Sequence, residues 1–185
     1  MIMEPKNIIS GKKIQLKKAE ATILSAQHLY DIMLSNKSDL RRWFESSNTQ
    51  EIDSVEDAFR FLLELENLWH KQKQYAYFIY LPTGKLIGFI SATLTEPENC
   101  ELTFHFWIIK EERKNGYVSE ALSLLEPVFF FLGIERMVVS CDTSYKTVQS
   151  LALKNGYQFE GIKRHGYWNS IKNRFNDVGI FSKIK

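Results

Sequence analysis

With 44% hydrophobic and 25% charged side chains over 185 residues, the chain has apolar material for one core, which excludes a disordered chain and predicts one domain over 1–185. Its net charge is only +2, and the basic cluster near 110–116 is interrupted by Glu111 and Glu112, so no nucleic-acid partner is expected. Cys100 and Cys141 lack zinc-like spacing, no secretory signal precedes them, and the longest apolar run, 122–132, carries Glu126 and Pro127 and is too short for a bilayer; a cytoplasmic protein with reduced thiols, no metal and no membrane partner is expected.

The first ten residues read as a short tail or a leading strand. Residues 12–18 alternate apolar and basic side chains, which predicts a half-buried strand with Ile14 and Leu16 inward. Over 21–34, Ile23, Leu24, Leu29, Ile32, Met33 and Leu34 suit an amphipathic helix, and 39–45 extends a second short helical piece. The longest helical pattern covers 51–74. Ser54 and Asp57 supply a capping signal there, with Val55, Phe59, Leu62, Leu63, Glu66 and Trp69 along one face. Strands at 75–81 and 86–95 flank the turn Pro82-Thr83-Gly84-Lys85 and predict a hairpin. A third strand follows at 100–109. The helix predicted over 117–132 contains Pro127, where a kink or break is expected, and Gly133 closes it. Then come a strand at 135–141, a helix at 144–155, and strands at 157–168 and 173–184 joined by a polar turn. This order predicts an α/β protein with a central mixed sheet of about six to seven strands flanked by helices.

The chemistry concentrates where the third strand ends. An aromatic and β-branched run is followed by the charged segment Lys110-Glu111-Glu112-Arg113-Lys114-Asn115-Gly116 and then by the helix start Tyr117-Val118-Ser119-Glu120-Ala121. A helix start leaves backbone N–H groups unpaired at the positive end of the macrodipole, and a loop aimed the same way makes an anion cradle. Gly116, without a Cβ, lets a ligand approach the backbone closely. The spacing Arg113-x-x-Gly116-x-Val118 resembles the R/Q-x-x-G-x-G/A signature of the GNAT superfamily of N-acetyltransferases, and Ser119-Glu120-Ala121-Leu122 resembles the T-E-A-L that often follows it. The strand through Phe104 and Ile108 is similar to that of the Rim-type branch, which acetylates ribosomal proteins. Further on, Ala152-Leu153-Lys154-Asn155-Gly156-Tyr157, Glu160-Gly161 and Asp177-x-x-x-Phe181-Ser182 resemble the ending of the Rim-type pattern. The resemblance covers about 14–182.

This resemblance implies a GNAT fold with a V-shaped opening in its sheet and acetyl-CoA as co-substrate. It implies cofactor contacts from Phe106, Trp107 and Ile108 on the strand and from Arg113, Lys114, Asn115, Gly116, Tyr117, Val118 and Ser119 in the loop. Three departures are visible. Val118 replaces the small residue that the signature prefers. Tyr145 and Val148 stand where the branch has an asparagine and a serine that hold the cofactor or the leaving thiol. Ala152 stands where many relatives carry a general-acid tyrosine. Tyr145 retains a hydroxyl donor, Val148 does not, and Ser144 and Ser150 lie nearby.

Acetyl transfer to an amine needs a polarised carbonyl, an amine stripped of its extra proton, and both reactants held together. His105 is the candidate base, since imidazole shuttles protons near neutrality; the alternative is a half-buried strand histidine satisfied by a neighbour. The alternation predicts Leu102, Phe104 and Phe106 on the core face, and Glu101, Thr103, His105 and Trp107 lining a cleft. Thr103 holds the position where the Rim-type branch commonly has glutamate. Tyr167 is the second catalytic candidate, as a proton relay or substrate contact. Trp43, Tyr77 and Trp168 are candidate walls of the acceptor site, with core packing as the competing role. The function expected is acetyl transfer from acetyl-CoA to a primary amine, either a protein N-terminus or a small molecule such as an antibiotic, a polyamine or an aminoacyl-nucleotide toxin, by a monomer or homodimer. Two other classes compete: a decayed CoA-binding module and a nucleotide-binding regulatory domain.

Overall fold

A computed structural model of the chain describes residues 4–37, 39–40, 52–96, 98, 100–169 and 172–185. The elements are β1 (Ile8–Ser10), β2 (Gln15–Lys18), α1 (Ile23–Ser35), α2 (Val55–His70), β3 (Gln74–Tyr80), β4 (Leu86–Glu96), β5 (Glu101–Ile108), a 3-10 turn (Lys110–Glu112), α3 (Tyr117–Phe131), β6 (Arg136–Asp142), α4 (Lys146–Lys154), β7 (Gln158–Asn169) and β8 (Arg174–Ile184). They form an eight-stranded sheet in the order β1-β2-β3-β4-β5-β6-β8-β7. The strand beyond the expected six to seven is β1, which pairs antiparallel with β2 through Ile8 and Lys17.

Local chemistry explains most boundaries. Thr22 caps α1 by accepting from the Ser25 N–H, and Ser54 caps α2 by accepting from the Asp57 N–H, so both helices start where a side-chain oxygen satisfies an orphan donor. Pro127 does not end α3, which runs on to Phe131. The expected break is overridden because Leu122, Leu125 and Phe129 are buried along one face, while Ser123, whose carbonyl loses its helical partner, is exposed to water. The short helix expected over 39–45 falls mostly outside the described residues.

The sheet is covered on both sides. Phe104 of β5 and Tyr75 of β3 meet Phe129 of α3 at ring-centroid distances of 6.1 and 5.4 Å. Trp107, three residues beyond Phe104 and therefore on the opposite face, stacks on Phe89 at 6.3 Å, and Phe89 in turn meets Phe61 of α2. The two-faced alternation expected of β5, core side against cleft side, therefore needs correcting. Trp107 is only 5% exposed and belongs to the core beneath α2. Burying each such ring stabilises the fold by about 1.5–3 kcal/mol.

One end of the sheet is fastened with charge. Arg136, at the start of β6, donates from Nε to Glu101 of β5 at 2.6 Å and from both terminal nitrogens to Glu160 of β7 at 2.5 Å. Ser182 of β8 donates to the same Glu160 carboxylate at 2.6 Å. Three strands thus share one guanidinium fork, a planar bidentate geometry that lysine does not reproduce, and Ser182 ties in the fourth through Glu160.

Candidate functional site

The sheet splits where β5 meets β6. The two strands are parallel and paired only from Glu101 and Arg136 to Phe104 and Val139. Beyond that, His105–Ile108 stays paired with β4, and Ser140–Asp142 stays paired with β8, but the two stretches no longer pair with each other. Backbone groups on the facing edges therefore lie open to a ligand, and the Arg136 fork holds the other end shut. Close approach between β4 and β5 supports the open edge. Gly88 lies opposite Ile108, and a Cβ there would stand 2.4 Å from the Trp107 carbonyl oxygen.

Immediately past the split, the chain makes the 3-10 turn and enters α3. Lys114 has φ +66°, unusual for a residue with a side chain, and Gly116 has φ +82°. No side chain caps α3, so the N–H groups of Tyr117, Val118 and Ser119 have no intrahelical partner. Left-handed residues close to an uncapped helix start give converging N–H groups, the geometry that favours a phosphate or another anion. The carboxylate of Glu120, which would oppose an anion there, is turned away and accepts from the backbone N–H groups of Lys12 and Lys13.

The register places a polar cluster on the far bank of the split. Val139 shares the face of Phe104, so Asp142, three residues on, lies on the opposite face with His105. Asp142 pairs with Val178, and Asn176 and Tyr167 share that face. The Tyr167 hydroxyl donates to Asp142 Oδ2 at 2.9 Å, and Asn176 Nδ2 donates to Asp142 Oδ2 at 2.6 Å and to the Tyr167 oxygen at 3.0 Å. Burial pulls the Asp142 carboxyl upward, but hydrogen bonds from Ser144 and Tyr167 outweigh it and leave the group below its ordinary value. Burial, helped by Asp142, raises the Tyr167 phenol, which stays protonated at neutral pH. His105 on the near bank lies opposite Ser91 and is half-buried; desolvation lowers its pKa, so its imidazole is neutral at pH 7. Burial pushes the Cys141 thiol up to about 11, so it is not a thiolate nucleophile.

Several candidates stand elsewhere than expected. The side chain of Arg113 does not reach outward: its Nε donates to the Ile108 carbonyl at 3.0 Å, and its terminal nitrogens pair with Asp39. It holds the loop against the end of β5. Tyr77 is fully buried, with its hydroxyl donating to the Lys6 carbonyl at 2.9 Å, so it belongs to the core and not to an acceptor wall. Trp168 is exposed and meets Phe175 edge-on at 5.0 Å. As the neighbour of Tyr167 in a strand, it points to the other side of the hairpin, so the two do not line one pocket. Trp43 lies outside the described residues. Phe106 and Ile108 sit on the open edge of β5. Asn115 donates to the Glu112 carbonyl at 3.3 Å, Val118 is buried at the helix start, and Tyr145 opens α4 with its N–H on the Asp142 carbonyl at 2.9 Å. Ser119 accepts at 3.0 Å from Asn155, a link between α3 and the end of α4.

Sequence reading missed Gly88, Asp142, Asn176 and Asn155. An isolated glycine inside a strand pattern was the available signal for Gly88. Asp142 and Asn176 are 34 residues apart, and nothing short of the strand register brings them together.

The comparisons agree with this geometry. A family model described as an acetyltransferase (GNAT) domain matches residues 19–158. The ribosomal-protein-serine acetyltransferase of Escherichia coli (strain K12) is 24% identical over 157 residues, which cover 84% of this chain and 85% of that protein. Among solved structures, an acetyltransferase from Salmonella typhimurium, described as modifying the N-terminal serine of the 50S ribosomal protein L7/L12, superposes with TM-score 0.81 at 20% identity, covering 96% of this chain and 99% of that one. The microcin C7 self-immunity acetyltransferase MccE, solved in complex with acetyl-CoA and AMP, gives TM-score 0.84 at 20% identity over 95% and 94%. With a split sheet, an uncapped helix start at its mouth and a family match over most of its length, the chain belongs to the GNAT acetyltransferases.

Proposed function

We propose that the whole chain works as one unit that transfers an acetyl group from acetyl-CoA to a primary amine, and that the favoured acceptor is the N-terminal amine of a protein. The observation that carries this reading is the split after Phe104 and Val139, followed directly by the uncapped start of α3. The two features suit the two parts of the donor. Converging N–H groups at 114–119 suit its diphosphate. The open backbone edge of β5 at Phe106 and Ile108 suits its pantetheine arm and the thioester oxygen, where a fixed N–H donor stabilises developing charge.

In this reading neutral His105 takes a proton from the acceptor ammonium. The freed amine attacks the thioester carbonyl, the C–N bond forms, the C–S bond breaks, the nitrogen gives up its second proton to leave the amide, and the departing thiolate takes up a proton to give free CoA. Asp142 is ionised and, with Tyr167 and Asn176, offers a negative, hydrogen-bonding bank suited to orienting the ammonium before transfer. The E. coli relative, named for a ribosomal-protein serine, favours a protein N-terminus as acceptor. The MccE likeness favours a small amine attached to a nucleotide as the second reading.

Thiol release from acetyl-CoA, measured with peptides bearing N-terminal serine or alanine, with polyamines and with aminoacyl-nucleotide analogues, tests both. Turnover with the peptides is the expected result. Turnover confined to the nucleotide analogues replaces the favoured acceptor with the second. Binding of acetyl-CoA without turnover on any amine overturns the enzymatic reading in favour of a binding module.

A further inference from the structure

A lysine from the N-terminal hairpin reaches the loop before α3 from 102 residues away in sequence. Lys13 Nζ lies 3.2 Å from the Asn115 carbonyl oxygen, and a Cβ placed on Gly116 would meet only this nitrogen, at 3.8 Å. Its position is built. Ile14, the next residue, is 2% exposed in the core, and the backbone N–H groups of Lys12 and Lys13 are held by Glu120 from the first turn of α3. One carboxylate therefore fixes the backbone beneath the lysine to the helix whose start it overhangs. Among the described residues Lys13 has no carboxylate partner, although Glu111, Glu112 and Glu120 are all close in the chain to that loop. A cation anchored over converging N–H groups and left without a counter-ion is electrostatically incomplete.

We infer that Lys13 supplies a charged side-chain contact to the diphosphate of CoA, in a loop whose other contacts are backbone N–H groups and whose Arg113 is committed to Ile108 and Asp39. The inference rests on the acetyl-CoA reading above and deepens it. It assigns to the N-terminal hairpin a part in donor recognition that the loop signature alone does not contain.

Calorimetry with CoA, dephospho-CoA and pantetheine on wild type, Lys13→Gln and Lys13→Arg tests it. Lys13→Gln is expected to weaken CoA and dephospho-CoA equally, by roughly ten-fold, the scale of a lost charge-assisted hydrogen bond. Added salt should shrink that difference. Pantetheine, which lacks the diphosphate, should bind all three proteins alike, and Lys13→Arg should recover much of the loss. Unchanged CoA affinity in Lys13→Gln overturns the assignment. So does a loss for CoA but not dephospho-CoA, which moves the contact to the 3′-phosphate, and so does an equal loss for pantetheine, which marks a merely structural lysine. Wild-type protein that fails to bind CoA sinks the acetyl-CoA reading itself, a result distinguishable from each of these.

Discussion

His105 stands one residue past the last β5–β6 pair, on the face shared with Asp142, Tyr167 and Asn176, and desolvation holds its pKa below 6.5. As the base proposed above, it would be in its working form throughout the neutral range and lose it only in acid. The expected pH profile of kcat/KM therefore has an acid limb with its midpoint below 6.5, and His105→Ala should remove that limb while lowering kcat about 10²–10⁴-fold and leaving acetyl-CoA affinity intact. Steady-state kinetics across pH check it; a variant that keeps the wild-type limb shows that another group titrates. The place of His105 on β5 was legible in the sequence from strand alternation. The fates of Arg113 and Tyr77 were not. Spacing places a residue in a loop or strand but does not choose its rotamer, and both side chains found better partners inward, on Ile108 and Lys6.

The elements most readable from pattern were those whose periodicity and caps agree. The capped α2, the β3–β4 hairpin around Gly84, and β5 all fall within a few residues of their expected bounds. What periodicity could not supply is how strands are fastened side by side. Glu101, Arg136, Glu160 and Ser182 look like scattered polar residues until the register joins them. The Arg136 fork, with help from Ser182, depresses the Glu160 carboxyl from 4.5 to about 2. Between those values the unfolded chain binds more protons than the folded one, so this link's contribution to stability is full above about 4.5 and fades as pH falls toward 2. Glu160→Gln should accordingly cost more stability at pH 6 than at pH 3, and the difference should diminish with salt because the carboxylate is partly exposed. Urea titrations at both pH values measure this. An equal cost at the two would mean that packing, not charge, holds β7 to β6 there.

At the scale of the molecule, the sheet behaves as two half-sheets that are joined at one end. β1 to β5 carry α1 and α2, and β6 to β8 carry α4. Among the described residues the halves of the sheet are joined by the short ladder from Glu101 to Phe104 and by the charged fork, and α3 bridges them: it packs on β3 and β5 through Phe129, reaches β8 through Glu126 and Lys183 at 2.5 Å, and meets the end of α4 through Ser119 and Asn155. A ligand lying in the split therefore adds a connection between two strand edges that do not pair with each other. Its stabilisation should be local before it is global. At a hundred-fold excess over Kd, CoA is expected to raise the unfolding free energy by about 2.7 kcal/mol. Native-state hydrogen exchange should show the largest added protection at the amides of Phe106 and Ile108, which face the split, and of Tyr117, Val118 and Ser119, which have no intrahelical partner. Amides in the ladders at 101–104 and 136–139, already bonded, should gain only what global stabilisation gives. A uniform gain, with nothing extra at the split or the loop, would place the ligand elsewhere. The predicted asymmetry follows from a sheet whose two central strands begin paired and end apart.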